Sequence, residues 1–322
     1  GPTPTRVRAL EDRLACEITF PRVIGYRYDL PAERLTVNFT ADSRMAISTA
    51  DLPTRTEMAS IIGESKFHDL YGLRDHREQE VVFRLASHTL EKYFRDDEGN
   101  TKAWFFPQLL GITHRWLAEC VTYKDNTFPQ MFLLTSFADH AADHIYQSIV
   151  MSAGSGEEGG HESPPLRPIL RPYDTCGSTR YVDFDTTRAV YTTSRDKCHI
   201  SHVVLDSNWE AKLAETLEEM DEVACYVKNQ GLGFTIPYTF NGEEHGYIPD
   251  YIVRIRPPSP TLPPSAAQTG EGSWLNLILE VSGEARKDKA AKVATARNLW
   301  VPAINNHGGF GRWAFIEITD PW

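Results

Sequence analysis

Two acidic residues fall where a folded chain would take their side chains out of water. Asp250 lies in the sequence IPDYI at residues 248–252, and Glu280 closes the apolar run at residues 274–281. A carboxylate that leaves water needs a partner, and two on neighbouring strands repel each other unless a cation lies between them. Mg²⁺ prefers oxygen ligands and retains water, which suits hydrolysis of a phosphodiester bond. The pattern predicts a metal-dependent hydrolase; the alternative is a turn aspartate and an edge glutamate.

A third acid opens a predicted helix. The sequence Ser-Asn-Trp-Glu from Ser207 is a capping-box pattern, and Glu210 shares the helix stripe of Leu213 and Leu217. Glu210 is therefore a candidate to complete a second metal position or to hold a metal-bound water. The alternative is a plain capping glutamate with no catalytic role.

A basic run follows Glu280 on the next predicted helix. Its members are Arg286, Lys287, Lys289, Lys292 and Arg297. Such a run can contact DNA phosphates. The alternative is a solvated helix face that pairs with Glu284 and Asp288.

The elements that must position these side chains follow the order α-β-β-β-α-β from Ser207, which predicts an α/β (α+β) fold. We expect a long helix to about Lys228, then a hairpin around the turn signal Asn241-Gly242. The further predicted ranges are strands 234–240, 247–255 and 274–281, a helix over 284–299 that stops near Pro302, and a strand over 313–318.

The first half of the chain has a different character. Helical periodicity covers residues 77–94, 107–120 and 136–150. The stretch 152–165 is rich in Gly, Ser and Glu, and 257–273 is rich in Pro and Ser, so both are predicted linkers or surface loops. We therefore expect a mainly helical connector over residues 1–165 and a second domain over 166–322. Because Gly1-Pro2 resembles a scar of protease cleavage, we expect the natural protein to be longer.

Composition limits the class of protein. The chain has 322 residues, 41% hydrophobic and 24% charged, which excludes a mostly disordered protein, a collagen and a coiled coil. Its net charge of −11 argues against a protein that coats nucleic acid, although a local basic patch would suffice for a DNA enzyme. Five cysteines without a C-x-x-C pair argue against a disulfide framework and favour a reducing cytosol. No apolar stretch approaches the roughly 18 residues of a membrane span.

The arrangement of Pro249-Asp250 on one strand and Glu280 on the next resembles the PD-(D/E)xK nuclease superfamily. More specifically, the second half is similar to the C-terminal nuclease region of type III restriction enzyme Res subunits and related helicase-nucleases. The segments that carry this second resemblance are SHVVLDSNWE (201–210), YVKN (226–229), LGFTIPY (232–238), WVPAINN (300–306) and FGRWAF (310–315).

This resemblance implies a Mg²⁺-dependent endonuclease that cuts double-stranded DNA in the bacterial cytoplasm, as part of restriction-modification defence against viruses. It implies that Asp250, Glu280 and Glu210 contribute metal ligands in a restriction-endonuclease-like core. It also implies two partners, an upstream ATP-driven helicase and a DNA methyltransferase subunit. The chain contains no G-x-x-x-x-G-K-[ST] loop, so ATP would act only through that helicase.

One position departs from the motif. Where the family has Glu-x-Lys, this chain has Glu280-Val281-Ser282, and serine cannot supply the positive charge of the lysine. Three interpretations stay open: a lysine of the next helix (Lys287, Lys289 or Lys292) replaces it, a Lys→Ser substitution was introduced, or the domain is naturally inactive. Two other functions therefore compete with DNA cleavage: a DNA-binding or interaction module that kept the fold, and a metal-dependent hydrolase with another substrate.

Overall fold

The computed structural model describes residues 1–30, 34–52, 60–62, 70–153, 164–256, 274–282 and 287–318. The predicted linkers over 152–165 and 257–273 lie almost entirely outside these described residues, as do Glu284 and Arg286. The fold of the described chain is a mixture of helix and sheet, which confirms the predicted class at that level.

The strands in chain order are β1 Thr5–Arg8, β2 Thr19–Pro21, β3 Val23–Tyr28, β4 Met45–Ile47, β5 Val121–Tyr123, β6 Leu166–Leu170, β7 Cys176–Ser178, β8 Asp183–Thr186, β9 Val190–Thr192, β10 His202–Val204, β11 Val223–Lys228, β12 Ile236–Phe240, β13 Glu243–Tyr247, β14 Tyr251–Ile255, β15 Leu275–Val281 and β16 Arg312–Ile318. The α-helices are α1 Glu78–Tyr93, α2 Phe106–Cys120, α3 Thr135–Ala153, α4 Asn208–Glu219, α5 Lys289–Thr295 and α6 Val301–His307. A π-helical turn, Ala296–Trp300, joins α5 to α6. Short 3₁₀ segments are Glu11–Cys16, Ala41–Ser43, Thr49–Asp51, Leu70–Asp75, Ala103–Phe105, Pro129–Leu133 and Thr179–Tyr181.

The chain divides into two compact units. The sheet unit comprises Gly1–Tyr26, Leu170–Phe240 and Glu244–Trp322, and the helical unit comprises Arg27–Ile169 and Asn241–Glu243. The division near residue 170 lies close to the predicted boundary at 165. The first 26 residues, however, belong to the sheet unit rather than to a helical connector. The reason is strand pairing over a long sequence separation, because β1 pairs with β8 and β2 with β7.

A four-stranded sheet with the order β11-β14-β15-β16 forms the centre of the sheet unit. β14 runs antiparallel to both of its neighbours, β11 and β15, whereas β15 and β16 are parallel to each other. Parallel neighbours need a crossover connection, and the helical segment from α5 to α6 provides it. The residues Leu277, Ile278 and Leu279 of β15 are all buried, as expected for a strand covered on both faces.

Two sequence predictions about this sheet are wrong. Helix α4 ends at Glu219, and the run Val-Ala-Cys-Tyr-Val-Lys that follows is strand β11, because its β-branched and aromatic side chains pack into the core. The predicted strand over 247–255 is also two strands, since Pro249 has no backbone N–H to give to a sheet ladder. As a result β14 pairs with β11, while β12 forms a hairpin with β13.

The hairpin turn itself follows the prediction. Asn241 and Gly242 have φ angles of 51° and 79°, the left-handed conformation that a tight two-residue turn requires at both positions. β12 and β13 flank this turn directly. The hairpin therefore depends on a residue pair that tolerates positive φ.

The helix after β15 continues past Pro302, where the sequence predicts its end. In the π turn the N–H of Val301 donates to the carbonyl of Ala296, five residues back, which shifts the ladder just before the proline. Pro302 then stands in the first turn of α6, where a missing N–H is tolerated. The helix ends at Gly308, whose φ of 80° is the left-handed conformation of a helix C-terminus.

Helices α1, α2 and α3 belong to the helical unit, and their ends lie within three residues of the predicted helical ranges. Leu85, Trp116 and Ile145 each contribute a fully buried side chain to its core. The indole N–H of Trp116 donates to the carbonyl of Ser43 at 2.8 Å, so this buried polar group is satisfied. Among the described residues, no helix is both long and apolar enough to traverse a lipid bilayer.

We predict that Ile278→Ala lowers the free energy of unfolding by about 2–5 kcal/mol, because the side chain is 0% exposed on the central strand. Ile316→Ala on β16 is the matched control. Its side chain is 45% exposed, so its effect should stay within about 1 kcal/mol. Urea unfolding followed by circular dichroism measures both. Equal losses for the two variants would contradict the described sheet.

Candidate active site

The register of the central sheet brings Asp250 and Glu280 together. Tyr251 at the start of β14 is the Cα partner of Leu279 on β15, so the next residues outward, Asp250 and Glu280, face each other across these antiparallel strands. The backbone N–H of Val281 donates to Oδ2 of Asp250 at 2.7 Å, which fixes the aspartate at the strand end. We call Asp250 and Glu280 the acid pair.

The acid pair is electrostatically strained. Partial burial and, next, the charge of Asp250 raise the pKa of Glu280 to about 7. Burial likewise raises the pKa of Asp250, partly offset by the Val281 hydrogen bond, and the charge of Glu210 adds to the increase. Both upward pKa shifts mean that the protein destabilises the ionised form of each carboxyl, because the nearby positive charge does not compensate for burial. A bound cation would relieve this strain.

Tyr247 fixes the orientation of Glu280. Its hydroxyl donates to Oε2 of Glu280 at 2.6 Å, and its side chain is 3% exposed at the end of β13. Burial, together with the neighbouring Glu280 carboxylate, raises the pKa of Tyr247, so it remains a donor at neutral pH. The Glu280 carboxylate also accepts a hydrogen bond from the backbone N–H of Asp250, whereas Oδ1 of Asp250 has no hydrogen-bond partner among the described residues.

Lys289 provides positive charge beside the acid pair. Its ammonium lowers the pKa of both Asp250 and Glu280, although burial outweighs it in each case. Lys289 Nζ lies 3.4 Å from Oε1 of Glu317, a residue of β16, and the Ser282 hydroxyl donates to the same oxygen. Thus Ser282 contacts a carboxylate that also binds a lysine from the next helix.

Glu210 occupies a different environment from the one predicted for a metal ligand. Its Oε1 lies 2.7 Å from Nζ of Lys228, and its Oε2 accepts from the backbone N–H groups of Ser207, at 3.0 Å, and Asp206. Lys228 also contacts Asp206 at 2.8 Å and the carbonyl of Val204 at 2.7 Å. Glu210 therefore caps helix α4 and pairs with a lysine, and it influences Asp250 only through its charge.

The other two candidate lysines, Lys287 and Lys292, differ in their surroundings. Lys287 is exposed. Lys292 lies 3.2 Å from Asp288, as the alternative of a paired helix face predicts, and its Nζ is 5.8 Å from the ring centres of Tyr238 and Tyr247. Of the three candidate lysines, Lys289 is the one whose charge acts on both members of the acid pair.

The sequence predicts Asp250 and Glu280 together, with one of Lys287, Lys289 or Lys292 beside them, but it does not predict three neighbours. Lys228 was assigned to the end of a helix, and neither Tyr247 nor Glu317 was singled out. The sequence does contain a signal for Glu317, which is the one acid in the otherwise apolar predicted strand 313–318. In the structure this strand runs parallel beside β15. Tyr247 and Lys228 carry no comparable signal.

Within the residues that the structure describes, no group of three or more His, Cys, Asp or Glu side chains converges as a metal site. The acid pair offers two carboxylates, so further ligands would come from water or substrate, which is the coordination that Mg²⁺ commonly adopts. The donor set is thus chemically suited to a hard divalent cation.

No protein-family model, curated protein or solved structure matches this chain. The resemblance to PD-(D/E)xK nucleases therefore stays a prediction.

The raised pKa of Glu280 predicts a pH-dependent stability. The folded state holds this proton up to about pH 7, whereas an unfolded glutamate releases it near 4.5, so the wild type loses stability as pH rises between these values. We expect Glu280→Gln to raise the free energy of unfolding by about 1–3 kcal/mol at pH 8, with the gain disappearing near pH 4.5.

Urea unfolding of both proteins across this pH range is the measurement. Glu215→Gln, at an exposed position on α4, is the control and should follow the wild-type curve. A constant difference between wild type and Glu280→Gln at all pH values would contradict the electrostatic account.

Proposed function

We propose that the sheet unit is a Mg²⁺-dependent endonuclease that hydrolyses phosphodiester bonds of double-stranded DNA. The observation that carries this proposal is the acid pair, two carboxylates on adjacent strands whose pKa values burial raises, with a lysine beside them. Such under-neutralised acids are characteristic of sites that bind a cation or act on protons.

Asp250 and Glu280 would hold the ion through one carboxylate oxygen each, and Oδ1 of Asp250 has no protein partner among the described residues. When bound, Mg²⁺ supplies Lewis-acid stabilisation of charge on the phosphate. The Val281 N–H donates to Oδ2 of Asp250 and the Tyr247 hydroxyl donates to Oε2 of Glu280, so both acids are oriented before an ion arrives. Glu210 acts as a helix cap and as the partner of Lys228.

Lys289 takes the role of the missing motif lysine. A protonated ammonium beside the acid pair can donate to a non-bridging phosphate oxygen and stabilise the charge that develops during attack. Lys287 is exposed and has no comparable influence on the acids. This assignment favours the interpretation that a lysine of the following helix replaces the motif residue.

The remaining features of the proposal come from the sequence resemblance. Duplex DNA as substrate, bacterial cytoplasm, a role in restriction-type defence, an upstream ATP-driven helicase and a methyltransferase partner all belong to that proposal. The net charge of −11 requires that DNA contacts be local, and Lys289 with the neighbouring basic side chains is the place where they would occur.

A plasmid-nicking assay with Mg²⁺ tests the proposed reaction. We expect Asp250→Asn and Lys289→Ala each to lower the cleavage rate by about 10²–10³-fold, because each removes charge from the reacting centre. Lys287→Ala should change the rate by less than about threefold, because its side chain is exposed. Circular dichroism of each variant controls for folding.

Two results would contradict this function. One is equal cleavage by wild type and Asp250→Asn, which would assign the activity to another site. The other is DNA binding by the wild type without cleavage at any Mg²⁺ concentration. That second result would favour a binding module that kept the fold, a function that the serine at position 282 also permits.

Metal binding can be tested without activity. We expect millimolar Mg²⁺ to raise the melting temperature of the wild type by a few degrees at pH 8, about 1–2 kcal/mol of stabilisation. The increase should be smaller at pH 6, because protons compete for Glu280, whose pKa is about 7. Asp250→Asn should lose the increase and Glu215→Gln should keep it. An unchanged increase in Asp250→Asn would place the ion elsewhere.

A further inference from the structure

We propose that Glu317 and Ser282 form a positioning pair that holds Lys289 beside the acid pair, so that serine at the motif position is a working part of the site. This inference rests on the proposed nuclease function and deepens it. It assigns a role to Glu317, which the nuclease motif does not include. It also assigns a role to Ser282, which would otherwise only mark the loss of the motif lysine.

The sheet places the three residues on one face. Glu317 on β16 is the Cα partner of Glu280 on β15, and partners in neighbouring parallel strands project to the same side. Ser282 lies two residues after Glu280, and its N–H donates to the carbonyl of Ile318 at 2.8 Å, which continues the ladder beyond β15. Glu280, Ser282 and Glu317 therefore project from the same face of the sheet.

The contacts of Glu317 connect that face to the helix. Its Oε1 accepts from the Ser282 hydroxyl and lies 3.4 Å from Nζ of Lys289. The Glu317 and Lys289 side chains are 17% and 22% exposed, so the pair is partly shielded from water and from salt. A hydroxyl donor fixes the carboxylate, and the carboxylate in turn fixes the ammonium.

The charge state of Glu317 suits this role. The Ser282 hydrogen bond, followed by Lys289, lowers the pKa of Glu317. Glu317 therefore stays ionised at neutral pH and can hold the Lys289 ammonium.

A second set of contacts holds the start of α5. The Tyr238 hydroxyl donates to Oδ2 of Asp288 at 2.8 Å, and Lys292 lies 3.2 Å from the same oxygen. Lys289 is the first residue of α5, directly after Asp288. Its backbone is thus anchored by Asp288 and its ammonium by Glu317, which limits the positions that the side chain can reach.

The identity of residue 282 follows from this geometry. A lysine at that position would itself pair with Glu317 and compete with Lys289. A serine hydroxyl contacts Glu317 without adding charge, so the ammonium that pairs with Glu317 is that of Lys289. A lysine at position 282 and a serine at position 282 with Lys289 on the helix are alternative arrangements, and this chain has the serine.

Cleavage kinetics with Mg²⁺ and plasmid DNA provide the first test. We expect Glu317→Gln to lower kcat by about 10-fold or more with little change in KM, since it misplaces Lys289 without removing it. Ser282→Ala should cause a smaller loss. In the Lys289→Ala background, Glu317→Gln should cause no further loss. Glu215→Gln is the matched control and should behave as wild type. Independent, additive losses in the double variant would overturn the proposal.

Relocation of the lysine gives a stricter version of this test. Ser282→Lys should restore cleavage to Lys289→Ala, because Glu317 can orient a lysine from either position. Absence of rescue in a folded double variant would show that Glu317 does not govern the lysine position.

Carbon-13 NMR titration of the Glu317 carboxyl provides a readout without DNA. Its midpoint should lie below the usual glutamate value in the wild type and move upward in both Ser282→Ala and Lys289→Ala. No movement would overturn the positioning pair, whatever the activity. Movement without any cleavage by the wild type would retain the pair and reject the nuclease function, so the two failures are distinguishable.

Discussion

The burial of two carboxylates on adjacent strands is the constraint on which the candidate site depends. Asp250 and Glu280 face each other where β14 and β15 meet, and burial raises the pKa of each carboxyl. Keeping both carboxyls ionised in the folded protein therefore costs free energy, and the Val281 amide and the Tyr247 hydroxyl offset the cost only in part. The divalent cation proposed for this site would offset the rest, and part of its affinity would come from that relief.

The lysines near the acid pair are engaged by other carboxylates. Lys228 is committed to Glu210 and Asp206, and Lys289 is committed to Glu317, so neither lysine fully neutralises the acid pair. Each of these two lysines pairs with a carboxylate outside the acid pair. This separation between paired and unpaired charge distinguishes the site from an ordinary surface ion-pair network, in which every charge finds a protein partner.

Part of this arrangement could be predicted from sequence. Asp250 and Glu280 stand out because acids interrupt apolar strands, and the mixed α/β class follows from the alternation of element types. Strand β11 was missed because its run continues a helix-like stretch without a Pro or Gly break, and only burial in the sheet decides its conformation. The contacts of Glu317 and Tyr247 depend on strand register and hairpin position, which are tertiary properties. The choice of Lys289 over Lys287 depends on helix rotation, which a list of lysines does not contain.

The central claim is that the acid pair binds one divalent cation, and anomalous scattering from a crystal grown with Mn²⁺ measures this most directly. We expect a single strong peak between the carboxylates of Asp250 and Glu280, in contact with one oxygen of each. A crystal saturated with Mn²⁺ that shows no peak there, or a peak only at other acidic residues, would contradict it.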